Sequence, residues 1–202
     1  MKQPLKYVLL VAFLCGAFIG QALELPKTEQ QLLKNLNDIH TYEADFVQIN
    51  DDGSKAAGRF YMDRPNQRLR FIYSHPEGTS ILAKEGWIKI YDADQDEEMS
   101  LSIDETPAQF FLNGEITLDT TDFQREIVEA EGRDTLLKVF DQNSGFLLVL
   151  PIAQRTQYLM GWHVRDINGK WTRIRFSNIR LNQPIDEEVF RKNKSFTSHR
   201  DK

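Results

Sequence analysis

The sequence predicts a mainly-β protein: an antiparallel sheet of about eleven short strands, curled on itself and covered by short α-helices. Three observations predict it. From Tyr42 onward, apolar and polar residues alternate with a period of two over most of the chain. Tight-turn signals punctuate that alternation at short intervals, among them Asp51-Asp52-Gly53, Glu85-Gly86, Asn143-Ser144-Gly145 and Asn168-Gly169. Helical spacing occurs at 28–39 and at 107–113, and the short, evenly spaced strands around them fit a curled sheet.

The N-terminus reads as a leader. Lys2 and Lys6 form a basic start, Tyr7 to Ile19 make an apolar run of 13 residues, and Gly20-Gln21-Ala22 fits a cleavage site after Ala22. The run is short for a membrane anchor, which needs roughly 20 apolar residues. The expected organisation is therefore a signal peptide at 1–22 and one domain at 23–202, exported to the periplasm. Cys15, the single cysteine, falls inside the leader, so the mature chain has neither disulfides nor thiolate metal sites and relies on packing.

The first helix is expected at 28–39. Leu32, Leu33, Leu36 and Ile39 share a face, Thr28 and Gln31 fit a capping box, and Lys34 and Asn37 point outward. Strands follow at 44–50, 56–63, 68–73, 79–84, 87–92 and 98–103. Thr106-Pro107 then opens a short helix, with Thr as cap, Pro at the first helical position and Gly114 as its stop. Strands resume at 123–130, 134–140, 145–150, 157–166 and 171–181.

Alternation assigns faces. Phe60, Met62 and Arg64 share one face of their strand; Leu69, Phe71 and Tyr73 share one face of the next, opposed by Arg68, Arg70 and Ile72. Arg64 is the exception on an apolar face, and a buried guanidinium is costly unless its donors are met. Two positions are open to it. It can escape to solvent at the strand end, or it can reach backbone carbonyls of a covering helix. Phe110, Phe111 and Leu112 crowd a helix too short to stand alone; they are either plain core packing or the underside of a lid.

Composition removes several function classes. Losing residues 1–22 takes two lysines from a net charge of −5, leaving −7, which disfavours nucleic-acid binding. His40, His75, His163 and His199 lack metal-ligand spacing, and no nucleophile elbow, P-loop or dinucleotide motif occurs. The acidic run Asp94, Asp96, Glu97 and Glu98 reads as a solvated hairpin. No cofactor, metal or enzymatic activity is expected; a hydrolase is a remote option.

Several segments, in order, resemble the periplasmic outer-membrane lipoprotein carrier (LolA) family: ADFVQ at 44–48, G-x-F-Y-M-D-R-P-N at 58–66, RFIY at 70–73, E-G-W at 85–87, IYD at 90–92, TPAQFFL at 106–112 and GWHVRDINGKWTRIRFSNI at 161–179. The match spans roughly 30–190. The resemblance implies an unclosed antiparallel β-barrel with an apolar concave face and a helical lid. It implies a monomeric carrier that takes acylated lipoproteins from an inner-membrane ABC complex to an outer-membrane receptor. Arg64 looks like the family's lid-gating arginine. The expected cavity residues are Phe46, Phe60, Met62, Leu69, Phe71, Tyr73, Ile88 and Ile90, with Phe110, Phe111 and Leu112 from the lid. The alternative is a periplasmic sensor, or a carrier of another lipid or amphiphile, on the same fold; an outer-membrane β-barrel is a further class, opposed by the helical segments and the charged tail. Two features differ from the family: one extra residue after Asn66, and a short basic tail at 192–202 without proline.

Overall fold

The computed structural model describes residues 27–92, 95–117, 123–128 and 134–191. The leader with its cleavage site, the Thr28 side chain of the expected capping box, Asp94, residues 129–130 and the basic tail lie outside them. In chain order come α1 (Lys27–Asn37), β1 (Thr41–Ile49), β2 (Lys55–Asp63), β3 (Arg68–His75), β4 (Glu77–Lys84), β5 (Trp87–Asp92) and β6 (Glu97–Ser102). A 3-10 turn (Ile103–Glu105) and α2 (Gln109–Leu112) interrupt the strands. Then follow β7 (Phe123–Val128), β8 (Thr135–Asp141), β9 (Leu147–Ile152), β10 (Gly161–Arg165), β11 (Trp171–Leu181) and a closing 3-10 turn (Glu187–Phe190).

The 11 strands among the described residues form one antiparallel sheet, ordered β6-β5-β4-β3-β2-β1-β11-β10-β9-β8-β7. The sheet is unclosed: β1 and β11 pair at its centre, while β6 and β7 are its two ends and do not pair. Alternation builds it. On β11, Ile174 and Phe176 are buried while Arg173 and Arg175 are exposed, and on β2, Phe60 and Met62 turn inward. The inward residues merge with Leu32, Leu33 and Leu36 of α1 and with Phe111 and Leu112 of α2 into one core. A buried Glu29 on α1 pairs with Arg125 on β7, tying the first helix to the far edge strand.

The element boundaries shift where pairing overrides local pattern. β1 begins at Thr41, because Thr41 pairs with Asp63 and Tyr42 with Leu181. The expected strand 157–166 contracts to β10, which opens on Gly161 at φ +145°. An alanine Cβ at Gly161 would meet the Ile174 carbonyl oxygen at 2.0 Å. The helix expected at 107–113 is a single α-turn starting at Gln109; Thr106 does accept from the Ala108 N–H at 3.3 Å, as a cap would, but Pro107 and Ala108 form a turn ahead of the helix, with the Phe110 N–H on the Pro107 carbonyl. The strands on either side of the turn after Asn66 stay in register. Gln67 takes φ +49° in a turn closed by its N–H on the Arg64 carbonyl at 2.9 Å, so Met62 still pairs with Leu69 and Asp63 with Arg68.

The outer face of β3 is the main surprise. Arg68 and Arg70 do oppose Leu69 and Phe71, yet both are buried, because the chain after β11 folds back across them. Phe190 lies 4.2 Å from the Arg68 guanidinium.

Candidate functional site

A cavity of about 380 Å³ lies inside the curled sheet. That is at the small end of the ~300–1,000 Å³ typical of ligand sites. Phe71 and Trp162 of its lining rest on a packed aromatic layer. Phe60 is fully buried, stacked on Phe176 at 4.9 Å and edge-on to Trp162 at 5.3 Å, with Phe71 at 4.7 Å. Offset and edge-on ring pairs of this kind add rigidity beyond area burial. One wall comes from β3 to β6 through Leu69, Phe71, Ile81, Ile88, Ile90 and Leu101. The other comes from β9 to β11 through Leu148, Trp162, Val164 and Ile174.

Six of the eleven residues expected around the cavity line it: Leu69, Phe71, Tyr73, Ile88, Ile90 and Phe111. The others sit elsewhere. Phe46, Phe60 and Met62 form the packed layer beneath the lining, because they lie on β1 and β2 at the most enclosed part of the sheet. Leu112 is buried in the core under the lid. Phe110 lines a separate, much smaller cavity with Val139, Phe146 and Leu148. The lid thus rests on the β8–β10 half of the sheet, Phe111 against Trp162 at 5.2 Å and Phe110 toward β8 and β9.

The sequence reading missed the β9–β11 wall. Ile174 and Phe176 carried a clear signal, alternating with arginines; β9 did not, since Leu147 to Ile152 is apolar on both faces.

The cavity is polarised along the strands. Gln48, Asp166 and Thr172 belong to its lining at the end where the β1–β2 and β10–β11 hairpins turn. Tyr73 donates its hydroxyl to Gln48 Oε1 at 3.0 Å, and burial pushes its pKa up to about 12, so the phenol stays protonated. Arg64 stands at the opposite end.

Arg64 does not leave for solvent. Half-buried in the turn after β2, it gathers carbonyls from two helix ends. Nη1 donates to Leu36, Asn37 and Ile39 oxygens at 3.0, 3.3 and 3.2 Å, at the C-terminus of α1. Nε donates to the Phe111 oxygen at 3.0 Å and Nη2 to the Gly114 oxygen at 2.7 Å, at the C-terminus of α2. The last carbonyls of a helix lack intrahelical donors and carry partial negative charge, so a cation suits both ends at once. Burial draws the guanidinium pKa below its usual value, while the nearby Glu115 carboxylate opposes that shift.

Asn37 was expected to face outward and does not. Its side chain donates to the Ile116 carbonyl at 2.9 Å and accepts from the Ile116 N–H at 2.7 Å, as a neighbouring strand would. It also accepts from Arg64 Nη2 at 3.3 Å. Amphipathic spacing carried no signal for this bond.

Among the described residues, no three His, Cys, Asp or Glu side chains come together as metal ligands. The arrangement offers an apolar space, a short helical cover and a guanidinium that joins that cover to the end of α1.

Comparison with known proteins gives the same outline. The model of the family described as "Outer membrane lipoprotein carrier protein LolA" matches residues 37–193. An outer-membrane lipoprotein carrier protein of Methylococcus capsulatus is 27% identical over 194 residues, covering 92% of this chain and 91% of the relative. A second, from Halorhodospira halophila, is 25% identical over 194 residues, covering 91% and 88%. Among solved structures, an uncharacterised conserved protein of Thermus thermophilus matches with a TM-score of 0.51 at 14% identity, covering 83% of this chain and 96% of that one. MucB matches with a TM-score of 0.51 at 13% identity over 84% of this chain and 64% of its own length. At such identity these two likenesses speak for the fold.

Proposed function

The chain belongs to the outer membrane lipoprotein carrier (LolA) family, and on that premise we propose that it carries lipoproteins between membranes, with their acyl chains held in the cavity beneath α2. The carrier performs no reaction. It works in the periplasm, loads from an inner-membrane ABC complex and unloads to an outer-membrane receptor. The signal-like leader and the relatives' carrier names support this reading.

One observation carries the mechanism: Phe111 has its ring in the cavity wall and its carbonyl on Arg64. Burying an acyl chain gains about 0.8 kcal/mol per methylene. An open cavity would therefore hold its cargo too tightly to give it up. A lid that fills part of the same space and is latched when shut subtracts from that gain, because apparent affinity falls with the fraction of open protein. Opening breaks the Arg64 bonds to Phe111 and Gly114; closing restores them and drives the cargo out.

Bonds from a charged donor contribute about 1.5–3 kcal/mol each. Arg64→Leu is therefore expected to favour the open lid, so that an N-acylated lipopeptide binds about tenfold more tightly and leaves more slowly. Stopped-flow loading and release with that lipopeptide reads both. Wild-type rates in Arg64→Leu would remove the latch from the mechanism.

A further inference from the structure

The stretch 182–191, after β11, touches the surroundings of Arg64 from the outside of the sheet at two places. At its start stands Asn182, at φ +55°. Its Oδ1 accepts from the His40 N–H at 2.8 Å and the Thr41 N–H at 3.3 Å, and its Nδ2 donates to the Asp38 carbonyl at 2.9 Å. The Thr41 hydroxyl donates to the Gln183 carbonyl at 2.7 Å. These bonds fix the connector between α1 and β1. Directly before and within that connector lie the Leu36, Asn37 and Ile39 carbonyls that receive Arg64, and the Arg64 N–H itself donates to the His40 carbonyl at 2.9 Å.

The second contact is on Arg68, four residues after Arg64 and on the other face of the same hairpin. Glu187 takes Arg68 in a fork, both bonds at 2.6 Å. From the other side Arg68 donates to Asp63 Oδ2 at 2.9 and 2.6 Å. Two-pronged guanidinium–carboxylate pairs fix orientation as well as distance. Phe190 covers the cation and is itself 2% exposed. Asp63 and Arg68 are the two residues that flank the turn carrying Arg64. The donor hairpin and the acceptor connector are thus held by one piece of chain that never enters the cavity.

We infer that residues 182–191 form a clasp that positions the Arg64 latch, so that loosening it on the convex face eases opening of the lid on the concave face. Asn182, Glu187 and Arg68 are positioning residues that act through Arg64. The inference rests on the carrier reading for its purpose, and on geometry alone for its coupling.

The test is amide hydrogen exchange on the full chain. The lid reporters are the Phe111, Leu112 and Asn113 N–H groups, which donate to Ala108 and Gln109 carbonyls. The reference is Phe176, whose N–H donates to the Met160 carbonyl in the core at 2.8 Å. Glu187→Gln is expected to speed lid exchange about fivefold or more with Phe176 unchanged. Asn182→Gly, which keeps the left-handed backbone, is expected to do the same. Added to Arg64→Leu, neither is expected to speed the lid further, because coupled residues are not additive. The inference is overturned if lid exchange does not change, if lid and core quicken alike, or if each clasp variant acts by the same factor with and without Arg64. A pyrene-labelled fatty acid titrated into the same variants keeps the two readings apart. If none of them takes it up, the carrier reading falls, and the exchange rates still decide the clasp.

Discussion

At Phe111 a side chain and its own carbonyl serve the same closed arrangement. The ring lines the cavity, in space that the proposed acyl cargo would use, and the carbonyl accepts from Arg64. The same economy appears at Arg68, where one cation joins a strand end, a neighbouring strand and the last turn of the described chain. The Arg68 hydrogen bonds hold the Glu187 carboxyl below its usual pKa, with burial opposing and the Arg68 charge assisting. A carboxylate lowered in the native state adds stability that is complete above its unfolded pKa, roughly 4.3 for Glu, and is lost as pH falls through the native value. The melting-temperature gap between wild type and Glu187→Gln is therefore expected to stay constant from pH 8 to about 5 and to close only below roughly pH 4. A gap that closes between pH 7 and 5, followed by thermal melts in steps of pH, would show that this pair does not hold the clasp.

Among the elements, the β2–β3 hairpin carries most of the design. Its Gly58 is required by approach, since an alanine Cβ there would lie 2.0 Å from the Ile72 carbonyl oxygen, where the register of the two strands shifts. Gly58→Ala is expected to force β2 and β3 apart and cost about 2–4 kcal/mol, in the range of other severe core lesions, as read by urea unfolding; a loss under about 0.5 kcal/mol would contradict it. The hairpin was also the most legible part of the sequence, because Phe60, Met62, Leu69 and Phe71 alternate with polar residues and only one face of each strand is apolar. Legibility ended where tertiary cover replaced water. Arg68 and Arg70 read as an ordinary outer face, and they are covered by Glu187 and Phe190 on Arg68 and by Arg191 on Arg70, more than a hundred residues away in a stretch with no periodic pattern. The lid itself read longer than it is, since Thr106-Pro107 signals a helix start that the chain uses as a turn. Strand β9 could not be assigned a face, because Val149 is buried as well as Leu148 and Leu150.

As a whole molecule, the protein is a sheet that stops short of a barrel. Closing β6 onto β7 would satisfy two free edges, yet the chain spends that gap on the segment carrying α2. On the proposed carrier mechanism, the gain is a space that opens without breaking any strand pair. The cost is an exposed edge, where Met99 on β6 is 58% exposed. That edge carries Glu97 and Glu98, charges of the kind that discourage strand addition. All of this has meaning only if the lid and an acyl chain compete for one space. A crystal structure of the protein with an N-palmitoylated peptide tests that directly. The account predicts the acyl chain between Phe71, Ile90 and Trp162, with the Phe111 ring displaced and the Arg64–Phe111 bond broken. An acyl chain bound elsewhere, with Phe111 still against Trp162 and Arg64 still on its carbonyl, would contradict it.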